Sequence, residues 1–461
     1  MIRIDVLPDD VLLEIFDFCV YVNYGRYLPS KRKIEAWQSL VHVCRRWRCL
    51  VFGSPRRLNL KVVCKPVRDT LDVWPTLPLL IEENMQYSLG ADDIFVALGQ
   101  SNRVCQVAIS RLEDRDLEKV SAAMQVPFPE LTDLRLNSYS KTAPVIPDSF
   151  LGGSTPYLRH LELHGIPFPG LPKLLSSTTH LVHLYLDYIP HSGYFSPEAM
   201  VALLSVLSCL EELHLRFQSP QSRPDRVNRL PPPSKRSVIP ALRDFVFQGV
   251  IEYLEDLVTF IDAPQLHHLV VYLFSQVDFD GPRLAQFISR TPAFVVRDEA
   301  CVEFSDTIVR FELKSQASDR APLLINAPFG ERDRQVSSVA QICNSCLPFL
   351  SRVENLYIQE DLYSETVWTG TNAIDNTLWL ELLLPFRVVK NLYLSVEFAP
   401  AIASALREIV GTEVLPSLQK FFVEELEPLG PLLQNIGQFF TARELSGHSI
   451  TICLDWYGPW A

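Results

Sequence analysis

Leucine and other apolar residues recur along this chain in a short pattern that repeats at near-regular intervals. The pattern L-x-x-L-x-L is matched by LTDLRL from residue 131, LRHLEL from 158, LVHLYL from 181 and LEELHL from 210. The starts of these segments lie 27, 23 and 29 residues apart. Self-similarity at such a period indicates an array of structural repeats.

Weaker copies of the pattern continue to the end of the chain. They begin at residues 104, 242, 266, 308, 353, 389 and 418, and the segments from 58 and 79 fit degenerate first units. The spacing widens to 42 and 45 residues on either side of the copy at 308, so we expect insertions or a hidden repeat there. The segment 449–457 is predicted to be a terminal strand that closes the core, with Trp456 and Trp460 covering it.

Alternation within each copy predicts a short strand, with the leucines on one face and the intervening residues on the other. One such strand cannot bury its leucine face alone, but stacked neighbours build a parallel sheet with a continuous core. The connecting segments supply a second layer. Ser196 and Pro197 have the residue types of an N-cap and a first helical position, and 282–290 and 400–410 also read as helices. The predicted fold class is α/β.

The N-terminus has a different pattern, with apolar residues at helical spacing. A first helix is predicted from Asp9, carrying Val11, Leu12, Ile15, Phe16 and Cys19. After a polar gap at 23–33, a second amphipathic run places Trp37, Leu40, Val41, Cys44, Trp47 and Val51 on one face. Helices this short must pack on one another and on something else. The predicted domains are a helical module at 1–56 and a repeat array with a C-terminal cap at 57–461.

Charge and cysteine content narrow the function classes. The net charge of -12 argues against nucleic acid or an anionic membrane as the main partner, since both attract cationic surfaces. Ten scattered cysteines, among them Cys105, Cys209 and Cys453, are interpreted as buried thiols in a reducing compartment. No apolar run reaches the length of a membrane span, and the start of the chain has acidic residues where a signal peptide needs apolar ones. We therefore expect a cytoplasmic or nuclear protein.

Motifs for chemistry are few. Segment 21–57 carries nine Lys and Arg and one acid, which is compatible with a nucleic-acid site but fits better the solvated rim around an acidic partner. The pair Cys343 and Cys346 lacks the second pair that a structural zinc needs. Segment 219–237 is proline-rich and basic and reads as a mobile loop. No hydrolase, nucleotide-binding or metalloprotease motif occurs, so we expect no enzyme activity, no cofactor and no metal.

The outward positions of the repeats form three rows of candidate binding residues. The middle row turns apolar and aromatic from Val246 on, with Glu312 as the exception, while Arg310 falls in the first row and Lys314 in the third. His160 is predicted beside His183, and His164 beside Asp187; a metal or pH-sensing site is conceivable there, but a mixed polar binding face is preferred. The candidate substrate-binding residues are His160, Glu162, His183, Tyr185, His214, Tyr272, Tyr357 and Tyr393.

The repeats resemble leucine-rich repeats, and the first 52 or so residues resemble an F-box, in a form common in fungal F-box proteins with leucine-rich repeats. The match is carried by Leu7-Pro8 before the first helix, by its apolar residues, and by the run from Trp37 to Arg48. The chain departs from the family in the longer, basic gap between the helices and in the missing consensus asparagine. The resemblance implies a horseshoe-shaped solenoid with outer helices and loops, preceded by a small all-α module.

The resemblance also implies a function. The helical module would dock a Skp-type adaptor and through it a cullin, and the repeats would hold a protein substrate for an SCF-type cullin–RING ubiquitin ligase. Such a receptor performs no chemistry and contributes proximity. The implied adaptor contacts are Leu7, Pro8, Leu12, Ile15, Phe16, Leu40, Val43, Cys44 and Trp47. Two alternatives stay open: an interaction scaffold with a divergent F-box that no longer docks, and a leucine-rich-repeat ligase with its own catalytic cysteine.

Overall fold

The three-dimensional structure is a computed structural model of the chain. It describes residues 7–21, 36–54, 62–63, 77–82, 91–140, 142–220, 236–274, 281–295, 297–315, 318–328, 331–346, 350, 352–361, 374–408, 414–424 and most of 437–456. The predicted loop at 219–237 lies outside the described residues from 221 to 235, and so do the polar gap at 23–33 and Trp460. The side chain of Trp456 also lies outside them, so its covering role stays a prediction.

The chain divides into two compact units, each described by itself. The first consists of Met1–Ile166 with Lys173–Thr178, and the second of Pro167–Pro172 with Thr179–Ala461. A short helix, α6, at Leu171–Leu175 lies where the chain passes between them. The predicted domain boundary at 56 and 57 falls outside the described residues and stays a prediction.

Three helices open the first unit. They are α1 at Asp9–Tyr21, α2 at Ala36–Val41 and α3 at Arg45–Gly53. Asp9 and Asp10 occupy the first turn of α1, where carboxylates favour the helix dipole. The second amphipathic run forms two helices, because residues 42–44 interrupt it. The Cys44 thiol caps α3 by accepting the Trp47 backbone N–H at 3.5 Å.

In its described residues, the rest of the first unit contains a parallel sheet with two α-helices. Its strands pair in chain order, each parallel to the next. The pattern leucines of the copies at 131 and 158 are all buried, as alternation requires. The strands are β1 at Val62–Val63, β2 at Leu79–Glu82, β3 at Val104–Ile109, β4 at Asp133–Asn137 and β5 at His160–His164, and the helices are α4 at Ala91–Leu98 and α5 at Asp114–Ala123.

The second unit contains a larger sheet whose spatial order is β6-β7-β9-β11-β14-β13-β12-β15-β16-β17-β18. A separate parallel pair joins β8 and β10. The strands are β6 at His183–Ile189, β7 at Glu212–Phe217, β8 at Ser237–Val238, β9 at Asp244–Gly249, β10 at Ile261–Asp262, β11 at His268–Leu273, β12 at Glu299–Phe304, β13 at Ile308–Ser315, β14 at Ser318–Pro328, β15 at Asn355–Glu360, β16 at Asn391–Leu394, β17 at Lys420–Glu424 and β18 at Thr451–Trp456. The predicted terminal strand is confirmed as β18, which pairs parallel to β17.

The widened spacing around the copy at 308 is explained by a three-stranded antiparallel insert. Strand β13 pairs antiparallel with both β12 and β14. At the two sides of the insert, β12 pairs parallel with β15, and β14 pairs parallel with β11. The prediction that 308–313 is one more parallel repeat strand is therefore wrong, although the segment is a strand.

Helices cover the leucine face of this sheet. The predicted helices are confirmed as α7 at Pro197–Leu204, with the Ser196 hydroxyl capping the Ala199 N–H at 3.3 Å, as α9 at Pro282–Arg290 and as α13 at Ala399–Arg407. The others are α8 at Ile251–Phe260, α10 at Pro292–Val295, α11 at Arg332–Gln341 and α12 at Asn376–Leu383. Tyr253 on α8 packs against Phe217 of β7, with 4.8 Å between ring centroids. In the described residues no helix is long and apolar enough to cross a membrane.

Candidate functional site

The face of the second sheet opposite the helices carries three rows of side chains, fixed by the strand register. The first row contains His183, Glu212, Asp244, His268, Lys314, Glu299, Asn355, Asn391 and Lys420. The middle row contains Tyr185, His214, Val246, Val270, Leu324, Glu312, Cys301, Tyr357, Tyr393, Phe422 and Cys453. The third row contains Asp187, Arg216, Gln248, Tyr272, Asn326, Arg310, Glu303, Gln359, Ser395 and Glu424.

Two predicted row positions are wrong. Because β13 runs antiparallel to its neighbours, Arg310 pairs across from Glu303 and Asn326, and Lys314 pairs across from Glu299. Arg310 therefore lies in the third row and Lys314 in the first, the reverse of the prediction. Glu312 lies midway between Arg310 and Lys314, so reversing the direction of the strand leaves it in the middle row.

Three aromatic rings on adjacent strands form a stack, which we call the aromatic ladder: Tyr357, Tyr393 and Phe422. The ring centroids of Tyr357 and Tyr393 are 4.3 Å apart with an interplanar angle of 11°, and those of Tyr393 and Phe422 are 4.3 Å apart at 12°. The three residues are in direct register, so the spacing follows from that of the strands. All three are half-buried and leave part of each ring on the surface.

Burial raises the pKa of the Tyr357 hydroxyl, and nearby Glu299 raises it further. A hydrogen bond that Tyr357 donates to the Tyr393 oxygen adds to this. Burial also raises the pKa of Tyr393, with the same hydrogen bond acting against it. Both hydroxyls therefore stay protonated at neutral pH, and the ladder carries no charge of its own. Phe422 was not among the candidate residues; its place in the middle row is the signal that could have identified it.

The insert places charges beside the ladder. Arg310 bonds the Glu303 carboxylate at 2.9 Å, and Lys314 lies 2.5 Å from that of Glu312. Burial raises the pKa of Glu303, with Arg310 acting against it. Glu312, the predicted exception in the middle row, is buried although it lies on the open face. The neighbouring cations Arg310 and Lys314 neutralise its charge. Cys301 lies across from Glu312 on the adjacent strand β12. It is buried, and burial raises the pKa of its thiol.

The first strands of the second unit carry paired histidines and acids. His183 Nε2 lies 3.7 Å from Glu212, and His268 Nδ1 lies 3.1 Å from Asp244. Tyr185 donates its hydroxyl to Glu212 and packs on the His214 ring, with 4.3 Å between centroids. Burial lowers the pKa of His214, which favours the neutral ring. Among the described residues no three metal-ligating side chains come together.

Tyr272 lies on the same face but apart from the aromatic ladder. The Arg216 guanidinium carbon lies 5.6 Å from its ring centroid, in a cation–π contact. Val246 and Val270, the middle-row residues nearby, are both buried on this face. Tyr272 is thus half-buried beside a covered apolar strip and not beside other exposed rings.

His160 and Glu162 belong to the first unit. His160 is largely buried, and its Nε2 lies 3.6 Å from the Glu162 carboxylate. The hydrogen bond with His160 lowers the pKa of Glu162, and Arg135 at 3.9 Å lowers it further. The predicted pairs His160 with His183 and His164 with Asp187 each join residues of different units, so both stay predictions.

The predicted adaptor contacts divide into residues buried in the core of the helical module and residues on its surface. Leu12, Phe16 and Leu40 are buried among the helices, so their side chains stabilise the module and cannot touch a partner directly. Half-buried Leu7 and Trp47 and exposed Pro8, Ile15, Val43 and Cys44 remain accessible. Arg46 ties the start of α1 to α3, donating to the Leu7 carbonyl at 2.6 Å and to the Asp9 carboxylate at 3.1 Å.

Sequence reasoning missed Phe18, which forms an exposed stripe on α1 together with Val11 and Ile15. Val11, Ile15 and Phe18 are all exposed, with 73% of Phe18 accessible. Their spacing of four and three residues places them on one side of the helix, opposite the buried Leu12 and Phe16. The signal in the sequence is that apolar residues occupy two sides of this helix, more than packing within the module requires.

The thiols depart from the prediction of buried cysteines. Cys105, Cys301 and Cys343 are buried, but Cys44, Cys49 and Cys209 are exposed and Cys453 is half-buried. Cys44, predicted on an apolar face, lies just before α3 and caps it, and exposed Cys49 lies within α3.

Comparison with known proteins leaves the family open. No family model matches the chain, and no curated protein matches it. Among solved structures, it is similar to the leucine-rich repeat-containing protein LegL7 from Legionella pneumophila, with 14% identity over 84% of this chain and 97% of that chain and a TM-score of 0.27. A likeness at this TM-score carries no argument. The class is defined by the strands themselves: a mostly parallel α/β architecture with buried leucine rows, consistent with leucine-rich repeats.

Proposed function

We propose that this chain is the substrate-recognition subunit of an SCF-type cullin–RING ubiquitin ligase. The helical module docks a Skp-type adaptor, and the open face of the repeats binds a protein substrate. The chain itself performs no chemistry and acts by holding the substrate near the ligase.

One observation carries the docking half of the proposal, namely the exposed stripe Val11, Ile15 and Phe18 on α1. The opposite side of α1 already packs on the other two helices, so the stripe serves no purpose in the core of the module. Apolar side chains gathered on one exposed surface mark protein interaction sites. The Leu-Pro start and the Val-Cys-Arg-x-Trp run that resemble an F-box belong to the same module.

The substrate half is supported by the composition of the open face. Aromatic rings that are half-exposed and uncharged, such as the aromatic ladder, are typical of the centres of protein interfaces. The charged pairs around them supply polar contacts at the rim.

Capture of a purified Skp-type adaptor by the full chain tests the docking half. We expect binding that Phe18→Asp abolishes, since the substitution places a charge on the stripe without disturbing the buried side of α1. The matched control is Val126→Asp, another exposed apolar position in the first unit, which should bind like the parent.

Two other outcomes favour the alternatives. Failure of the parent chain to bind the adaptor at micromolar concentrations favours a repeat scaffold with a divergent F-box. Formation of a thioester with ubiquitin in the absence of other ligase subunits favours a ligase with its own catalytic cysteine.

A further inference from the structure

Beyond the aromatic ladder, the C-terminal ends of the same strands carry acidic residues. Glu424 lies on the ladder face of β17, two residues past Phe422, and its carboxylate accepts the backbone N–H of Val396. Glu397 follows in the connection after β16. We call Ser395, Glu397 and Glu424 the acidic edge. It lies in the second unit, as the ladder does.

The charges of this edge are not compensated from within the described part of the chain. Burial raises the pKa of Glu424, and the nearby charge of Glu397 raises it further. Burial raises the pKa of Glu360 as well, and Glu397 raises it further. The neighbouring cations are engaged elsewhere, because Arg310 bonds Glu303 and Arg332 bonds Glu360, whereas no described lysine or arginine pairs with Glu424. An external cation placed here would relieve this repulsion.

A second and independent feature of the edge is an unused hydroxyl. Ser395 directly follows β16, and its backbone N–H donates to the Ile358 carbonyl at 3.0 Å. The register of β16, extended by this one residue, places Ser395 between Gln359 and Glu424 in the third row. The residue is only 4% exposed, and its Oγ has no hydrogen-bond partner among the described residues. A buried hydroxyl without a partner is unfavourable and uncommon in folded proteins. A donor group from a bound ligand would satisfy it.

We propose that the aromatic ladder and the acidic edge together bind an extended segment of the protein substrate that carries a lysine or arginine side chain. The inference rests on the proposed function, because it names the chemical class of substrate that the open face selects. The cationic head bonds Glu424 and the Ser395 hydroxyl, with Glu397 adding long-range attraction.

The ladder suits the rest of such a side chain and its backbone. Lysine and arginine place an apolar stem behind the charged head, and stems of this kind pack well along aromatic and apolar surfaces. Three strands at about 4.8 Å each give a platform of roughly 10 Å, which is wider than a lone ion needs and matches a few residues of extended peptide. Nucleic acids and acidic peptides are disfavoured by the same carboxylates.

The full chain, titrated calorimetrically with a short acetylated and amidated Lys-Ser repeat peptide, tests the proposal. We expect binding to the parent and no binding of the matched Glu-Ser peptide. Glu424→Gln should weaken binding about tenfold, the worth of a charge-assisted hydrogen bond, while keeping the shape of the side chain. Glu381→Gln removes the same charge from the exposed side of α12 and should leave the affinity unchanged.

Tyr393→Leu provides a second arm and should also weaken binding, with thermal unfolding used to verify that the variant is folded. No binding of the Lys-Ser peptide, equal binding of the Glu-Ser peptide, or equal losses in Glu424→Gln and Glu381→Gln would each overturn the inference. A chain that captures the adaptor but ignores the peptide overturns it while the proposed function stands. Peptide binding without adaptor capture overturns the ligase role and supports the proposed site for a segment that carries a lysine or arginine.

Discussion

The indole ring of Trp47 on α3 lies against the phenyl ring of Phe16 on α1, with 4.7 Å between the ring centroids and an interplanar angle of 58°. Phe16 is fully buried, and Trp47 is half-buried above it. The pair joins the two halves of the F-box-like pattern across the intervening gap. Both halves of the pattern therefore contribute a ring to the same small core.

Replacement of Trp47 by alanine should loosen the helical module without affecting the repeats. The lost aromatic contact and partial burial correspond to about 1–3 kcal/mol. Hydrogen exchange is the suitable measurement because it reports local opening. We expect faster exchange of the α1 amides and unchanged exchange of the β4 and β5 amides.

Phe18→Ala is the control for this change, since Phe18 is on the same helix but points to the surface. It should leave α1 exchange unchanged and affect only docking. Equal acceleration in the two variants would show that the Phe16–Trp47 contact does not hold the helices together.

Replacement of Gly165 by alanine should destabilise the first unit. Gly165 follows β5 with a φ of +66°, and a Cβ there would collide with the Ser138 backbone carbonyl. Strain at such a position costs about 1–3 kcal/mol, and here the collision adds to it because backbone cannot move aside cheaply. A lower midpoint of thermal unfolding is expected.

The matched glycine is Gly53, at the end of α3, where a Cβ would meet nothing within 4 Å. Gly53→Ala should change the unfolding midpoint little or raise it slightly, since alanine favours helix over glycine. A similar fall in both variants would mean that loss of glycine flexibility, and not the collision, is responsible.

Replacement of Tyr393 by leucine removes the middle ring of the aromatic ladder and both of its stacking contacts. At about 0.5–1.5 kcal/mol for each aromatic pair, the second unit should lose roughly 1–3 kcal/mol, measured by urea unfolding. Tyr393→Phe keeps both contacts and should lose much less. If the two variants are equally destabilised, the hydroxyl network and not the stacking stabilises this part of the sheet.

Glu424→Gln should raise stability at neutral pH and have no such effect in acid. The pKa of Glu424 is raised above its ordinary value of 4.5, so the folded state disfavours the charged carboxylate. The stability linked to its proton is fully present below 4.5 and is lost as the pH rises through the raised folded pKa. The glutamine variant, which never ionises, avoids that loss. Urea unfolding at about pH 7 and about pH 4 measures the difference, and a variant less stable than the parent at neutral pH contradicts it.

Local rules account for most of what the sequence could predict. The leucines at the pattern positions are buried because a two-residue period fixes the face of each side chain. Ser196 and Pro197 start a helix because both residue types satisfy the first turn. Each of these inferences needs only a few consecutive residues.

The wrong predictions depend on partners that are distant in the chain. The direction of β13 is set by pairing with two strands whose own segments, 299–304 and 318–328, do not match the leucine pattern. The break before Trp47 depends on the Cys44 cap, and a helical projection cannot distinguish one long helix from two short ones. In the candidate site, ring stacking and the unpartnered Ser395 hydroxyl depend on neighbours from adjacent strands. The linear sequence does not show which residues these neighbours are.

The antiparallel insert has a consequence for how this array can be divided. In an ordinary repeat array each unit touches only the next, so units can be removed from an end one at a time. Here β11 pairs with β14, whose residues lie about fifty positions further along, and β12 pairs with β15. A fragment that stops anywhere between residues 274 and 317 exposes an unpaired β11 edge, which is prone to aggregation. Residues 299–328 therefore cannot be divided, and stable truncations are expected only before β11 begins or after β14 ends.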